Sequence, residues 1–389
     1  MIPYSRQLID KKDIQSVNKV LRSNFLTQGK QVLLFEKKIC EKVGAKYSIS
    51  VNSATSALHI SCLALGLCKN DIFWTVPNTY VASANSGIMC GAKVDFVDID
   101  KNTFNICPDQ LESKLQKAKK INKLPKILIP VDFAGNPYNQ EKIYELSRKY
   151  KFKIVEDASH ALGSTYKKKI IGNGKWSHIT VFSFHPVKPI TTAEGGIAVT
   201  NNKLLYEKMN LLRSHGVTKN KIFLRKKNMH NWYYEQKILG FNYRMNEIQA
   251  ALGISQIKKL HAFNRDRNLI AERYKQKFDE VPIRYQLISR ESFSSYHLFI
   301  INFPNTKKVM ENYNKIFGEF YKKKIAVMLH YFPVHLQPFY RRMGFKAGDF
   351  PVSENYAKRS FSIPNFPGLT LNKQKKIIQS VINIYKKYS

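Results

Sequence analysis

The chain has 389 residues, 43% of them hydrophobic and 12% aromatic, enough to bury a large core and too apolar for a wholly disordered protein. Its formal charge is +36, from 64 Lys+Arg against 28 Asp+Glu, but the excess is spread along the chain, and no zinc-finger spacing, basic leucine zipper or RNA-binding aromatic signature directs it to nucleic acid. No apolar run reaches the ~18 residues of a membrane helix, the first residues lack the apolar core of a secretion signal, and five scattered cysteines (Cys40, Cys62, Cys68, Cys90, Cys107) include no Cys-x-x-Cys pair, so a soluble, cytoplasmic chain with reduced thiols and no metal is expected.

In chain order, the spacing of apolar residues predicts helices over Phe35–Lys42 and Ser56–Leu67, the second opened by the cap-rich Asn52-Ser53-Ala54-Thr55. A strand follows at Phe73–Val76, a helix at Tyr80–Cys90 and a strand at Lys93–Val97. The apolar Lys126–Val131 reads as a strand, then come the turn Phe133–Pro137 and a helix over Tyr138–Tyr150. Lys153–Asp157, Ile179–Phe184 and Gly195–Thr200 are further strands. This alternation predicts a mostly parallel α/β sheet covered on both faces, with ligands beyond the carboxyl ends of its strands. Residues 217–238 are basic and aromatic and read as a long loop. From Asn246 to Phe278 the spacing predicts one helix of roughly nine turns between two domains. A strand at Tyr296–Ile301 and a helix over 371–387 predict a small α+β domain. The expected division is 1–260 for the large domain and 261–389 for the small one.

The stretch Phe182-Ser183-Phe184-His185-Pro186-Val187-Lys188-Pro189-Ile190-Thr191-Thr192-Ala193-Glu194-Gly195-Gly196 carries the most chemistry. Two prolines stiffen the loop around Lys188, just past a strand. A lysine that forms a Schiff base with a fixed carbonyl needs such rigidity; spacing alone leaves a solvated lysine open. Asp157 ends an apolar strand at the ligand edge. A carboxylate there could keep the ring nitrogen of pyridoxal phosphate protonated, making the ring an electron sink; a helix N-cap for the Ala158 segment is the other reading. Ser53-Ala54-Thr55 opens a helix whose free amides suit a phosphate, to which Ser183 could add a hydroxyl, and Tyr80 could stack on a ring. Singly, Ser53 and Thr55 read as plain caps and Tyr80 as core. Their order around a Lys–Asp pair is what points to pyridoxal phosphate.

With these segments, Arg213-Ser214-His215-Gly216, Gly240-Phe241-Asn242-Tyr243-Arg244-Met245-Asn246-Glu247-Ile248-Gln249 and His330-Tyr331-Phe332-Pro333-Val334-His335-Leu336-Gln337, the chain resembles the DegT/StrS-type nucleotide-sugar aminotransferases over nearly its whole length. The resemblance implies fold type I of the pyridoxal phosphate enzymes, aspartate aminotransferase-like, with a large α/β domain and a small C-terminal one. It implies that Lys188 holds the cofactor covalently, Asp157 its ring nitrogen and Tyr80 its ring face, with Ala54, Thr55 and Ser183 at its phosphate. His160 would lie by the phenolic oxygen. Asn242 would reach the cofactor phosphate of a neighbouring subunit, making a homodimer with shared active sites. Thr27, His185, His215 and His330 would face substrate. L-Glutamate is the implied amino donor and a UDP-linked 4-keto-6-deoxy sugar, aminated at carbon 4, the acceptor. Asp157–Gly163, Ser183–Thr192 and Trp232–Arg244 are similar to the family's pseudaminic acid branch, with another UDP- or dTDP-linked 4-keto-6-deoxy sugar as the alternative. The complete Lys188-Asp157-Ser183 set argues against a non-catalytic regulator.

Overall fold

The structure, a computed structural model, describes residues 1–388 apart from 223, 227 and 228. Asp10 caps helix α1 (Lys11–Leu21) through a capping box with Asp13, and α2 (Lys30–Val43) follows. The first strand, β1 (Tyr47–Val51), was not foreseen. Ser48 and Ser50 interrupt its apolar run, but both hydroxyls are spent on Glu36, one on its carbonyl and one on its carboxylate, so the strand is buried all the same.

Helix α3 (Ala54–Ala64), strand β2 (Ile72–Thr75), helix α4 (Val81–Ile88), strand β3 (Lys93–Phe96), helix α5 (Pro108–Lys120), strand β4 (Ile127–Ile129), helix α6 (Gln140–Tyr150) and strand β5 (Lys153–Asp157) then alternate as expected, except that α5 was not foreseen. A small hairpin, β6 (Thr165–Tyr166) and β7 (Lys169–Ile170), precedes β8 (Ile179–Ser183) and β9 (Gly196–Thr200), and α7 (Lys203–Arg213) follows. Among the described residues seven strands form the central sheet, in the order β1-β9-β8-β5-β4-β2-β3. Strands β2 to β5 and β8 pair in parallel, whereas β9 runs antiparallel to both β8 and β1. The reason is the connection: a parallel return needs a crossover helix, and only a loop joins Ser183 to Gly196. The carboxyl ends of β1, β2, β4, β5 and β8 and the start of β9 therefore meet at one edge.

Alternation along the strands feeds two cores. Phe73, Ile127 and Val155 pack with Leu58 and Met209 on one face; Trp74, Leu128 and Ile154 pack with Leu111, Leu115 and Ile143 on the other. Both faces are apolar, which is why these strands read as continuous apolar runs.

The single long helix is two: α8 (Glu247–Ile257) and α9 (Leu260–Phe278). At the break the Lys259 amide bonds the Gln256 carbonyl at 2.9 Å, a tightened turn. The Lys259 ammonium lies 2.6 Å from Asp13, and the Gln256 amide donates to Asp13 and to the Leu8 carbonyl, so the N-terminal segment grips the kink. Apolar spacing runs through because one tightened turn barely rotates the face. Residues 217–238 are a loop but for a two-residue ladder, β10 (Val217–Thr218) with β11 (Glu235–Gln236), and positions 223, 227 and 228 of it lie outside the described residues.

Beyond α9 come β12 (Arg284–Tyr285), β13 (Ser292–Phe293), β14 (Phe299–Asn302) and β15 (Ser360–Ile363). Strand β13 pairs with β6, while β12, β14 and β15 form an antiparallel sheet under α9 and the helix Leu371–Tyr388. The strand expected from Tyr296 starts only at Phe299, since Tyr296 sits at φ 44°. Ile2 joins this C-terminal core and pairs with Ile325, so the first residues belong to it by packing. Among the described residues no helix is long and apolar enough to cross a membrane.

Candidate active site

A cavity of about 580 Å³ opens at the edge where the strands end. At one end β1 runs through Asn52 and Ser53 into α3. The Ser53 hydroxyl accepts the Ser56 amide at 3.1 Å, and the Ser56 hydroxyl donates to Asn52 at 2.6 Å. The Ala54 and Thr55 amides, first of the helix, have no intrahelical partner, and both residues line the cavity. Gly196 passes directly beneath: a Cβ there would lie 2.4 Å from the Ala54 nitrogen, so any side chain would push the helix end off the sheet. Ser183, last of β8, lines the same end. Free amides at a helix N-terminus with flanking hydroxyls are the donor set of a phosphate site.

At the other end is Asp157. Its Oδ1 accepts the Ser159 amide at 3.1 Å and the Ser159 hydroxyl at 2.5 Å, and its Oδ2 accepts the Ser83 hydroxyl at 2.7 Å. The N-cap reading fails for want of a helix: residues 158–164 are turns and irregular chain. Behind Asp157, the fully buried Glu156 accepts hydroxyls from Thr180 and Ser177. Burial, and then the Glu156 charge, push the neighbouring Asp132 carboxyl well above the usual range, which favours its protonated form.

Lys188 stands between the two ends. Its amide bonds the His185 carbonyl at 2.9 Å, and the Ser5 hydroxyl holds the Val187 carbonyl at 3.3 Å. Desolvation pulls its ammonium down to about 8, against the opposing charge of Asp157. Around it are three buried histidines. The Ala134 amide donates to His160 Nδ1 at 3.1 Å, which puts the ring proton on Nε2, 3.2 Å from the Tyr331 hydroxyl. His297 packs against His160 with ring centres 4.5 Å apart and planes tilted by 50°, and His330 Nδ1 lies 2.8 Å from the Ser362 hydroxyl. Burial first, then neighbouring positive charge, hold His160 and His297 neutral and push His330 down to about 3. None of them competes with Lys188 for a proton near neutral pH.

Ala54, Thr55, Tyr80, Asp157, His160, Ser183, His185, Lys188 and His330 thus line one cavity. Tyr80 is 61% exposed, with its ring 6.0 Å from that of Tyr331, so it is not core. Thr27, His215 and Asn242 do not reach this chain's cavity; all three are exposed, and Asn242 pairs with Ser214 beside His215. Sequence reasoning missed Tyr4, Ser83, Ser159, His297 and Tyr331. Ser83 lies one turn beyond Tyr80 on the inner side of α4 and could have been found by that spacing. Tyr4 and His297 come from remote segments and leave no local signal.

The model of the DegT/DnrJ/EryC1/StrS aminotransferase family matches residues 7–382. The chain belongs to this family. It is 38% identical to the Campylobacter jejuni (serotype O:2) protein named UDP-4-amino-4,6-dideoxy-N-acetyl-beta-L-altrosamine transaminase, over 100% of this chain and 98% of that one. Among solved structures it resembles Helicobacter pylori PseC, an aminotransferase involved in the biosynthesis of pseudoaminic acid, with 34% identity, a TM-score of 0.88 and both chains covered completely. It also resembles Streptococcus pneumoniae Spr1654 in its PLP-form, with 27% identity, a TM-score of 0.90 and coverage of 100% and 99%. This DegT-family enzyme is therefore a pyridoxal phosphate-dependent aminotransferase of fold type I. Its cavity suits the cofactor: a phosphate cradle at the α3 N-terminus, seated on the sheet because Gly196 beneath it has no side chain, a buried carboxylate at the far end, and an amine between them.

The lowered Lys188 ammonium gives a pH signature for this DegT-family chain. Only the neutral amine attacks a carbonyl, and its fraction rises about tenfold per pH unit below the pKa. Stripped of cofactor, the enzyme should take up pyridoxal phosphate covalently at a rate that climbs with pH and levels off near pH 8. A stopped-flow midpoint close to 10.5, as for a solvated lysine, would contradict this environment.

Proposed function

We propose that the protein transfers an amino group from L-glutamate to carbon 4 of UDP-2-acetamido-2,6-dideoxy-β-L-arabino-hex-4-ulose, giving UDP-4-amino-4,6-dideoxy-N-acetyl-β-L-altrosamine, as a cytoplasmic homodimer. The observation that carries the sugar is the 38% identity, over the whole chain, to the C. jejuni enzyme of that name. The glutamate donor rests on the family resemblance. For the dimer, Phe25, Leu33, Trp232 and Leu239 are all more than 60% exposed, large apolar side chains that a second copy would cover. Asn242 would then reach the partner's site. Residues 1–260 and 261–389 would be the two domains, divided next to the kink between α8 and α9.

Bound pyridoxal phosphate supplies an electron sink that lets the hydrogen on an amine-bearing carbon leave as a proton. Lys188 would take that proton on Nζ and return it to the carbon on the other side of the amine nitrogen, a transfer for which an amine of pKa near 8 is well matched. Asp157 would hold a proton on the ring nitrogen, with Ser83 and Ser159 fixing the orientation of its carboxylate. The α3 N-terminus, Thr55 and Ser183 would anchor the phosphate. His160 donates its Nε2 proton towards the Tyr331 oxygen, which leaves the Tyr331 hydroxyl proton free to point into the cavity.

Assays with both UDP-4-keto-sugar epimers and L-glutamate test the reading. A site built to pair with particular hydroxyl and amide groups rejects an analogue that leaves them unpaired, by up to ~10⁴-fold. The D-xylo epimer should therefore show a kcat/KM at least about tenfold lower. Equal or better turnover of that epimer, or of dTDP-4-keto-6-deoxyglucose, would overturn the sugar and leave the aminotransferase standing.

A further inference from the structure

On the far side of Tyr356 from the catalytic cavity lies a second cavity, of about 510 Å³. Its walls include Phe104 and Tyr356, both almost fully buried, and Pro304. Three cations also line it: Lys101, Arg284 and Arg359. None of its lining residues is acidic. On a chain with 64 Lys+Arg, cations grouped on an open surface would mean little. Here they border a concave apolar pocket, and one of them is held in position.

The half-buried Arg359 donates from Nε to Asn355 and from Nη1 to the Phe303 carbonyl, both at 2.8 Å. The Asn355 amide is in turn tied to Asn305 at 2.8 Å. The guanidinium is thereby fixed, and its Nη2 has no partner among the described residues. Burial, and then the charge of Arg284, lower the Arg359 pKa, so the two guanidiniums lie close enough to repel. The Arg284 and Lys101 side chains make no hydrogen bond or ion pair among the described residues. Two guanidiniums and an ammonium with no counter-charge around one pocket match a dianion, and guanidinium forks match phosphate oxygens in particular. The aromatic and proline walls suit an attached ring.

We propose that this cavity is a second ligand site, separate from the catalytic one, that binds a small organic phosphate: the phosphate between Arg284, Arg359 and Lys101, and its ring against Phe104 and Tyr356. The same Tyr356 donates its hydroxyl to the His330 carbonyl at 2.6 Å, and His330 lines the catalytic cavity, so one hydrogen bond links the two walls.

Binding is read without turnover, so the test does not depend on the sugar assignment. The cofactor-loaded enzyme should bind phenyl phosphate saturably in isothermal titration, and inorganic phosphate should compete. R284Q should weaken binding at least about tenfold, through loss of a charge-assisted contact. Arg284 is exposed and unpartnered, so this variant removes nothing the fold uses. R359Q should weaken it at least as much, and a crystal soaked with phenyl phosphate should show it against Tyr356. Phenol, which lacks the phosphate, should give no comparable heat. The proposal is overturned if phenyl phosphate does not bind, if R284Q binds it as the unaltered enzyme does, or if phenol binds as well.

Discussion

Lys188→Ala is expected to lower kcat/KM by more than about 10⁴-fold, since it removes both a positioned general base and a covalent anchor, and a base alone is worth 10²–10⁴. The fold should survive. Lys188 makes no ion pair among the described residues, and losing a desolvated ammonium removes a cost rather than a support. The loop keeps its shape through backbone contacts, the Ser5 hydroxyl on Val187 and the Lys188 amide on His185, which alanine preserves. Circular dichroism melting should therefore match the unaltered enzyme within a few degrees. Cofactor should still enter through the α3 cradle, but without the covalent absorbance band. Turnover within tenfold of normal would end the assignment.

Asp157→Asn separates a carboxylate needed for its charge from one needed for its shape. The amide can still accept from Ser159, and Ser83 can reverse its hydroxyl because Thr79 lies 2.8 Å away and can take either role. The stability cost should be about 1 kcal/mol, that of one altered hydrogen bond. Activity should fall by about 10²-fold or more, in the range for removing one preorganised electrostatic contact in a dry site. A residue that only shaped the turn would give the reverse pattern, a lower melting temperature with kcat intact.

The elements legible in the sequence were those whose burial is local and complete. Lys153–Asp157 matches its strand residue for residue, because every apolar position there serves one of the two cores. Strand β1 escaped notice because its serines are satisfied by Glu36, 12 and 14 residues away. The kink at Lys258–Lys259 was invisible to periodicity, since its cause is Asp13, brought from the other end of the chain. Lys188 and Asp157 could be read because prolines and a strand end announce them locally. Tyr4, His297 and Tyr331 could not, because tertiary packing alone brings them to the cavity. Thr27, His215 and Asn242 were expected at the site by likeness alone, and within one chain they stay on the surface.

The ring of neutral imidazoles also makes the folded state sensitive to acid. An unfolded chain protonates His160, His297 and His330 near pH 6.5; the folded chain refuses those protons, His330 down to about 3. As pH falls through that interval the unfolded state gains up to about 1.4 kcal/mol per unit for each histidine, and native stability drops accordingly. Urea midpoints should fall steeply below pH 6.5, and less steeply in His297→Gln, which has one proton fewer to refuse. The wall that keeps protons away from the working amine would then also set how acidic a medium the folded enzyme can endure.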